Sequence, residues 1–302
     1  MHMNKTKAWI HAFRLRTLPL ALSSIFLGSF LAAADHAFSL KIFILATLTT
    51  LFLQILSNLA NDLGDSISGA DNKERVGPER AVQSGAVSQK EMKRMLVFFV
   101  LLSLSSGLWL LYEGMQLISL KQGGIMLFIG LLAIGAAINY TVGKNPYGYS
   151  GFGDLFVFLF FGLVGVLGTY FLHTGSMSWS LFLPAISVGL LSVGVLNLNN
   201  LRDVTNDGKT GKITLVVKMG VTNAKRYHLV LLSIAMLLPC LYTILHWVSV
   251  FQFLFLLSFP FIVRNVLHVF KNKNARDLDP ELKRLAISTL LFSLSFGLGL
   301  VL

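Results

Sequence analysis

Leu40–Asp71 reads LKIFILATLTTLFLQILSNLANDLGDSISGAD. Its first part, Leu40 to Leu56, is an apolar run that could form most of a membrane crossing, and polar residues follow it at once. Asp62 and Asp65 lie three positions apart, so they share a face if the helix continues through them. Two carboxylates that close repel each other unless a cation lies between them. Carboxylate and amide oxygens are hard ligands that suit Mg²⁺.

A second stretch repeats this pattern in the other half of the chain. Leu181–Leu196 is apolar, and residues 197–207 then read NLNNLRDVTND. Asp203 and Asp207 are four positions apart, again on one face of a helix. We therefore predict that two acidic clusters stand at the ends of two apolar helices. The recurrence also suggests a duplicated helical unit.

Composition indicates a membrane protein. Of the 302 residues, 54% are hydrophobic and 13% are charged, with a mean hydropathy of +0.70. A soluble domain would carry about 25% charged residues. We predict an all-α membrane protein with nine transmembrane helices, forming a single domain over residues 1–302. The predicted spans are 18–34, 40–60, 95–112, 122–141, 155–173, 181–199, 229–246, 249–268 and 285–302.

The basic residues test this span count. If nine spans alternate, all of the 25 lysines and arginines except Lys41 and Lys121 fall on one side. The positive-inside rule then puts the N-terminus and both acidic clusters in the cytoplasm, where the connections after spans 2 and 6 form two cap loops. The net charge of +11 is therefore mostly topogenic. The placement of nearly all basic residues on one side of the membrane argues for contact with anionic membrane lipids and against binding of nucleic acid.

Basic residues also accompany the acidic clusters. Acids with interleaved bases indicate a site where Mg²⁺ and cationic side chains share a polyanion, and at a membrane surface the natural choice is a lipid diphosphate. An allylic prenyl diphosphate suits such a site, because its head belongs in the polar cap and its tail in the bundle. Loss of diphosphate leaves an allylic cation that an electron-rich acceptor captures. The loop bases are Arg75, Arg80, Lys144, Arg202, Lys209 and Lys212.

A cation-coupled transporter is the alternative from another class of protein. Intramembrane acids and an apparent repeat occur in transporters too. A transporter predicts acids near the middle of the spans and helix breaks at matching points of the two halves. Here the acids lie at the span ends and the breaks do not match, which favours the enzyme.

Several ordered fragments resemble the UbiA superfamily of intramembrane prenyltransferases, and within it the branch that acts on 1,4-dihydroxy-2-naphthoate. The resemblance covers nearly the whole chain. Its fragments are Arg14–Pro19, Asn58–Asp65, Gly77–Arg80, Asn139–Pro146, Gly151–Asp154, Asn199–Leu215 and Asp279–Lys283. One departure is that Gly69 occupies the usual place of a third aspartate, and the acid comes at Asp71. The roles of Asp71 and of Asp154, which could be an N-cap or catalytic, stay open.

The resemblance implies a UbiA-like fold in the bacterial cytoplasmic membrane and transfer of a polyprenyl group from polyprenyl diphosphate to 1,4-dihydroxy-2-naphthoate. Decarboxylation of the acceptor would then give demethylmenaquinone. Another aromatic acceptor, such as 4-hydroxybenzoate, is the alternative within the enzyme class. The resemblance implies Mg²⁺ ligands at Asp62, Asp65, Asp203 and Asp207 with Asn58 and Asn61, diphosphate ligands at Arg80, Lys144, Arg202 and Lys212, and further site residues at Arg16, Tyr140, Asn199 and Asn200. Lys144 and Tyr140 are also expected to take part in catalysis.

Overall fold

The computed structural model describes residues 4–72 and 75–302. Within these ranges, nine helices are long and apolar enough to cross a membrane, so the prediction of an all-helical nine-span protein is confirmed. The protein is an integral membrane protein. The helices are α1 Lys5–Ala34, α2 Leu40–Ser68, α3 Gln89–Gly114, α4 Leu120–Asn139, α5 Gly153–Thr174, α6 Trp179–Lys209, α7 Leu215–Leu245, α8 Val250–Lys271 and α9 Ala275–Val301.

The helices that carry the acidic clusters are longer than the predicted spans. α2 continues to Ser68 and α6 continues to Lys209, so both clusters lie on helical extensions and keep their i, i+3 and i, i+4 spacing. The connection between α6 and α7 is consequently only residues 210–214, and most of the long loop expected there is helical. Thr214 caps the start of α7, and Gly220 interrupts that helix with a φ of 77°.

α1 is broken near its start. Its first segment ends at Phe13, a short turn covers Leu15–Thr17, and the long segment begins at Leu18. Asn58 holds this break against α2, because its Nδ2 donates to the carbonyl oxygen of Phe13 at 3.0 Å and to Oγ1 of Thr17 at 3.1 Å. The first acidic motif and the break in α1 are therefore fixed to each other.

The chain closes on itself. α9 packs against α1, α6 and the first part of α8, so the last helix meets the first. α5 contains a π-helical stretch, Phe158–Gly168, and approaches α6 where Gly162 faces Gly189. A Cβ on Gly162 would lie 2.7 Å from the Cα of Gly189, so this crossing requires glycine.

Candidate active site

Lys212 joins the two acidic motifs. Its Nζ lies 3.6 Å from Oδ1 of Asp65 in the first motif and 3.8 Å from Oδ1 of Asp207 in the second. All three side chains are buried. Burial by itself would lower the pKa of Lys212, but the carboxylates of Asp65, Asp207 and Asp203 outweigh it and raise that pKa. The ends of α2 and α6 therefore form one charged cluster.

Asp65 is also contacted by Tyr149, a residue that the sequence reasoning missed. The hydroxyl of Tyr149 donates to Oδ1 of Asp65 at 2.7 Å and lies 2.6 Å from Oγ of Ser68. The Nζ of Lys212 stands 5.4 Å from the centre of the same ring, which is cation–π range. Tyr149 lies five positions beyond Lys144, and that proximity to the quoted fragment is the only sequence signal that could have pointed to it.

Arg202 anchors the second motif to the start of α9. Its Nε donates to Oδ1 of Asp203 at 3.0 Å, and its Nη2 donates to Oδ2 of Asp203 at 2.6 Å and to Oδ1 of Asn199 at 2.9 Å. Its Nη1 pairs with Asp279. Arg16 pairs with the same carboxylate at 3.1 Å. The predicted residues Arg16, Asn199, Arg202 and Asp203 thus form one connected group around Asp279.

Asp71 belongs to the cluster even though it lies beyond the usual motif spacing. Arg75 Nε lies 3.1 Å from Oδ1 of Asp71, and Arg80 Nε lies 3.6 Å from that oxygen. Arg75 also reaches Asp203, with Nη2 3.9 Å from Oδ2. Burial and the neighbouring Asp65 carboxylate raise the pKa of Asp71 to about 7, although Arg75 opposes them. Arg75 therefore connects the loop after α2 to the second motif.

Asp62 faces the loop that follows α2. Its Oδ2 accepts the backbone N–H of Ala81 at 3.1 Å, and its Oδ1 accepts the backbone N–H of Val82 at 3.3 Å. These donors begin a single helical turn, closed by the bond from Ser84 N to the Arg80 carbonyl oxygen at 2.9 Å. The carboxylate therefore caps the turn that carries Arg80.

Asn61 holds two arginines at once. Its Oδ1 accepts from Nη2 of Arg80 at 2.8 Å and from Nη2 of Arg14. Arg80 Nη2 also lies 3.4 Å from Oδ2 of Asp65. Arg14 did not figure among the predicted site residues, since the sequence gives no sign of the break that turns its side chain inward.

Four other residues from the sequence analysis differ in burial: one is exposed, one is half-buried and two are buried. Lys144 is exposed, and its role stays a prediction. Tyr140 is half-buried and lines the cavity described below, and burial together with the Asp154 carboxylate raises its pKa. Asn200 and Asp154 are buried, and Oδ1 of Asn200 and Oδ2 of Asp154 make no hydrogen bond within the described ranges.

A cavity of about 390 Å³ opens beside the charged cluster and extends into the bundle. Its lining runs along one face of α2 from Asn61 to Ala46, a depth of roughly 22 Å at about 1.5 Å per residue. Arg14, Asn61, Tyr140 and Asn199 form its polar end. Most of the rest is apolar or aromatic, including Leu53, Leu111, Met126, Phe160, Phe161 and Leu172. Such a cavity fits a ligand with an anionic head and a long hydrocarbon tail.

The donor set of the cluster suits Mg²⁺ shared with a phosphate ligand. In the part of the chain that the structure describes, no three acidic, histidine or cysteine side chains are grouped closely enough to hold a metal ion alone. Mg²⁺ commonly takes one or two carboxylates and completes its shell with substrate phosphate and water. Oδ2 of Asp207 is buried and makes no hydrogen bond among the described residues, so it is a suitably placed hard ligand.

Among the residues that the structure describes, nine membrane-length helices enclose a deep apolar cavity beside an acid–base cluster, and this arrangement defines a class of intramembrane enzyme that acts on anionic lipids. The chain belongs to the UbiA prenyltransferase family, whose family model matches residues 21–300. It is 43% identical over 302 residues to a 1,4-dihydroxy-2-naphthoate octaprenyltransferase of Haemophilus influenzae, covering 98% of this chain and 96% of that one. It is 41% identical to the enzyme of the same name from Escherichia coli, covering 99% and 97%.

Solved structures share the fold. A UbiA homologue from Aeropyrum pernix superposes with a TM-score of 0.65 at 17% identity, covering 96% of each chain. A UbiA homologue from Archaeoglobus fulgidus, bound to DMAPP and Mg²⁺, superposes with a TM-score of 0.57 at 18% identity, covering 95% of this chain and 98% of that one.

Proposed function

We infer that this protein transfers a polyprenyl group from polyprenyl diphosphate to 1,4-dihydroxy-2-naphthoate, a step of menaquinone biosynthesis. The observation that carries this inference is the joining of the two acidic motifs through Lys212. Arg80 connects this cluster to the polar end of the cavity, because it contacts both Asp65 and the lining residue Asn61. The similarity to the two naphthoate octaprenyltransferases supports the choice of acceptor. The protein acts as one domain over residues 1–302, with its N-terminus and its site at the cytoplasmic face of the bacterial inner membrane.

Asp65, Asp203 and Asp207 are the carboxylates that face the shared cluster, and one or two of them would hold Mg²⁺ together with substrate phosphate and water. When bound, the metal would neutralise charge on the departing diphosphate. Arg80, Arg202 and Lys212 lie around these carboxylates and supply the remaining positive charge, which is how protein sites stabilise a phosphate leaving group. Asp62 and Asn58 were also expected among the metal ligands. That role stays a prediction; in the structure Asp62 caps the Arg80 turn, and Asn58 holds the break in α1.

The reaction breaks the bond between the prenyl C1 and the diphosphate oxygen and forms a carbon–carbon bond at the ring carbon that carries the carboxylate. The carboxylate then leaves as CO₂, and its electron pair returns to the ring and restores aromaticity. The product is the prenylated naphthalenediol, which is the reduced form of demethylmenaquinone. No ring proton is removed, so the site needs no strong base. The apolar walls of the cavity keep water from the allylic cation.

A turnover assay on the purified protein in detergent tests this function. The protein receives Mg²⁺, a long-chain prenyl diphosphate and either 1,4-dihydroxy-2-naphthoate or 4-hydroxybenzoate, with EDTA added to parallel samples. We expect prenylation of the naphthoate with one CO₂ released per product, and loss of turnover in EDTA. Prenylation of the benzoate alone would refute the acceptor, and turnover that survives EDTA would refute the metal.

A further inference from the structure

Arg14 has an unusual backbone. Its φ of 49° and ψ of 57° are left-handed, and in the described ranges His36 is the only other non-glycine residue with a positive φ. Residues other than glycine, asparagine and aspartate rarely adopt this conformation, and where it persists it often marks a functional site. Here the carbonyl oxygen of Arg14 accepts from the backbone N–H of Thr17 at 2.8 Å and from its Oγ1 at 2.9 Å. The break in α1 therefore holds Arg14 in a defined orientation.

Arg14 is also the one charged side chain that lines the cavity among the described residues. Its Nη2 donates to Asn61, but it forms no ion pair in the part of the chain that the structure covers. The cluster bases differ, because Arg75, Arg80, Arg202 and Lys212 each pair with aspartates. Arg14 thus faces the cavity with Asn61 as its hydrogen-bond partner, while Asp62, Asp65 and Asp71 act on its charge only from beyond ion-pair distance.

The proposed reaction brings two anions to the site, and they need separate cations. The diphosphate matches the cluster of Lys212, Arg80 and Arg202. The acceptor carboxylate must enter with its ring between the diphosphate and the apolar wall, where an unpaired charge would lose its hydration. A guanidinium matches a carboxylate with two parallel hydrogen bonds. The shared oxygen of Asn61 puts Arg14 directly beside Arg80, so the two anions would be held next to each other.

We propose that Arg14 binds the carboxylate of the aromatic acceptor and selects acceptors that carry one. This rests on the proposed function. The carboxylate that Arg14 holds is lost as neutral CO₂, so the interaction exists with the substrate and disappears with the product. Arg14 therefore acts mainly on the KM of the acceptor and much less on kcat.

The test compares Arg14→Asn and Arg14→Lys with the wild type. Asparagine tolerates the left-handed backbone, so Arg14→Asn removes the charge with little strain. Arg14→Lys keeps the charge but cannot form two parallel hydrogen bonds to a carboxylate. Arg94→Asn is the matched control, because Arg94 is exposed. We expect Arg14→Asn to raise the KM of the naphthoate about 10- to 100-fold, with partial rescue by lysine and no change in the control. The KM of the prenyl diphosphate stays as in the wild type.

Two further measurements separate the possible outcomes. Binding of 1-hydroxy-2-naphthoate, which carries the carboxylate, is measured beside binding of inorganic diphosphate. A wild-type protein that turns over no naphthoate would refute the proposed function. If Arg14→Asn still binds 1-hydroxy-2-naphthoate as the wild type does, the proposed role of Arg14 is refuted but the proposed function is not. A raised KM for prenyl diphosphate or weakened diphosphate binding, with the acceptor KM unchanged, would instead assign Arg14 to the diphosphate and overturn the proposal.

Discussion

Asp62→Asn separates the role of Asp62 in the loop from a role in metal binding. The carboxylate accepts backbone N–H groups from both Ala81 and Val82, at 3.1 and 3.3 Å. Asparagine offers one acceptor oxygen, so one buried N–H loses its partner and the other loses the help of the charge. An unpaired buried donor costs about 1–3 kcal/mol, which makes the closed turn roughly 5- to 150-fold less favoured. Arg80 then leaves Asn61 and Asp65 more often, and we expect turnover to fall by about tenfold or more.

Metal binding should respond differently. Titration of Mn²⁺ followed by electron paramagnetic resonance, on purified protein in detergent, reports the metal site directly. We expect the affinity of Asp62→Asn for Mn²⁺ to match the wild type within the error of the titration. Asp65→Asn is the comparison variant, three positions along the same helix face, and it should bind Mn²⁺ at least about tenfold more weakly than the wild type. Trypsin should also cut the loop after α2 faster in Asp62→Asn, because its arginines become accessible.

The result that would refute this reasoning is equal loss of Mn²⁺ binding in the two variants. Asp62 would then be a metal ligand, as the resemblance implies, and the capping bonds to Ala81 and Val82 would not describe its working role. Wild-type turnover in Asp62→Asn would refute the importance of the capped turn itself.

Three other variants test the remaining contacts. Lys212→Met leaves buried carboxylates without their shared cation, so thermal unfolding without metal should show a loss of about 3–5 kcal/mol; failure of Mg²⁺ to restore part of it would contradict the shared site. Gly64→Val should cost more than about 1–3 kcal/mol, since even a Cβ there would lie 2.4 Å from a carbonyl oxygen in the loop after α4, whereas Gly124→Ala, which meets nothing within 4 Å, should melt like the wild type. His228→Leu removes the 3.0 Å hydrogen bond to Asn265, and the free energy of unfolding should fall by about 1–3 kcal/mol. An unchanged melting temperature would show that this bond is unimportant.

The sequence predicted the number of spans because hydrophobic length and the placement of basic residues follow from the bilayer itself. It also predicted that the two acidic motifs share a face of their helices, since i, i+3 and i, i+4 spacing is a property of the helix alone. The contact of Lys212 with Asp65 and Asp207 agrees with the expected sharing of one site. The span count and the shared helix faces depend on local rules, whereas the Lys212 contact joins separate elements.

The partners of individual side chains could not be predicted in the same way. Nothing in the spacing of Asp62 and Asp65 tells that one faces a loop and the other faces Lys212, because the N–H groups of Ala81 and Val82 reach Asp62 only in the folded protein. Arg14 and Arg16 are two arginines of the same short stretch, and nothing in the sequence tells which of them faces the cavity. The left-handed residue at position 14 sends one toward the cavity, and the other pairs with Asp279. The length of α6 was underestimated because its polar end lacks the hydrophobic signal of a span.

The pairing of Asp279 with Arg16 and Arg202 has a consequence for biosynthesis. A ribosome makes both acidic motifs well before it reaches Asp279, which lies near the start of α9. A nascent chain that lacks α9 therefore carries both motifs, and among the described partners of Arg202 it offers Asp203 and Asn199 but not Asp279. The second motif therefore gains its Asp279 contacts only after α9 has been made and has packed against α1 and α6.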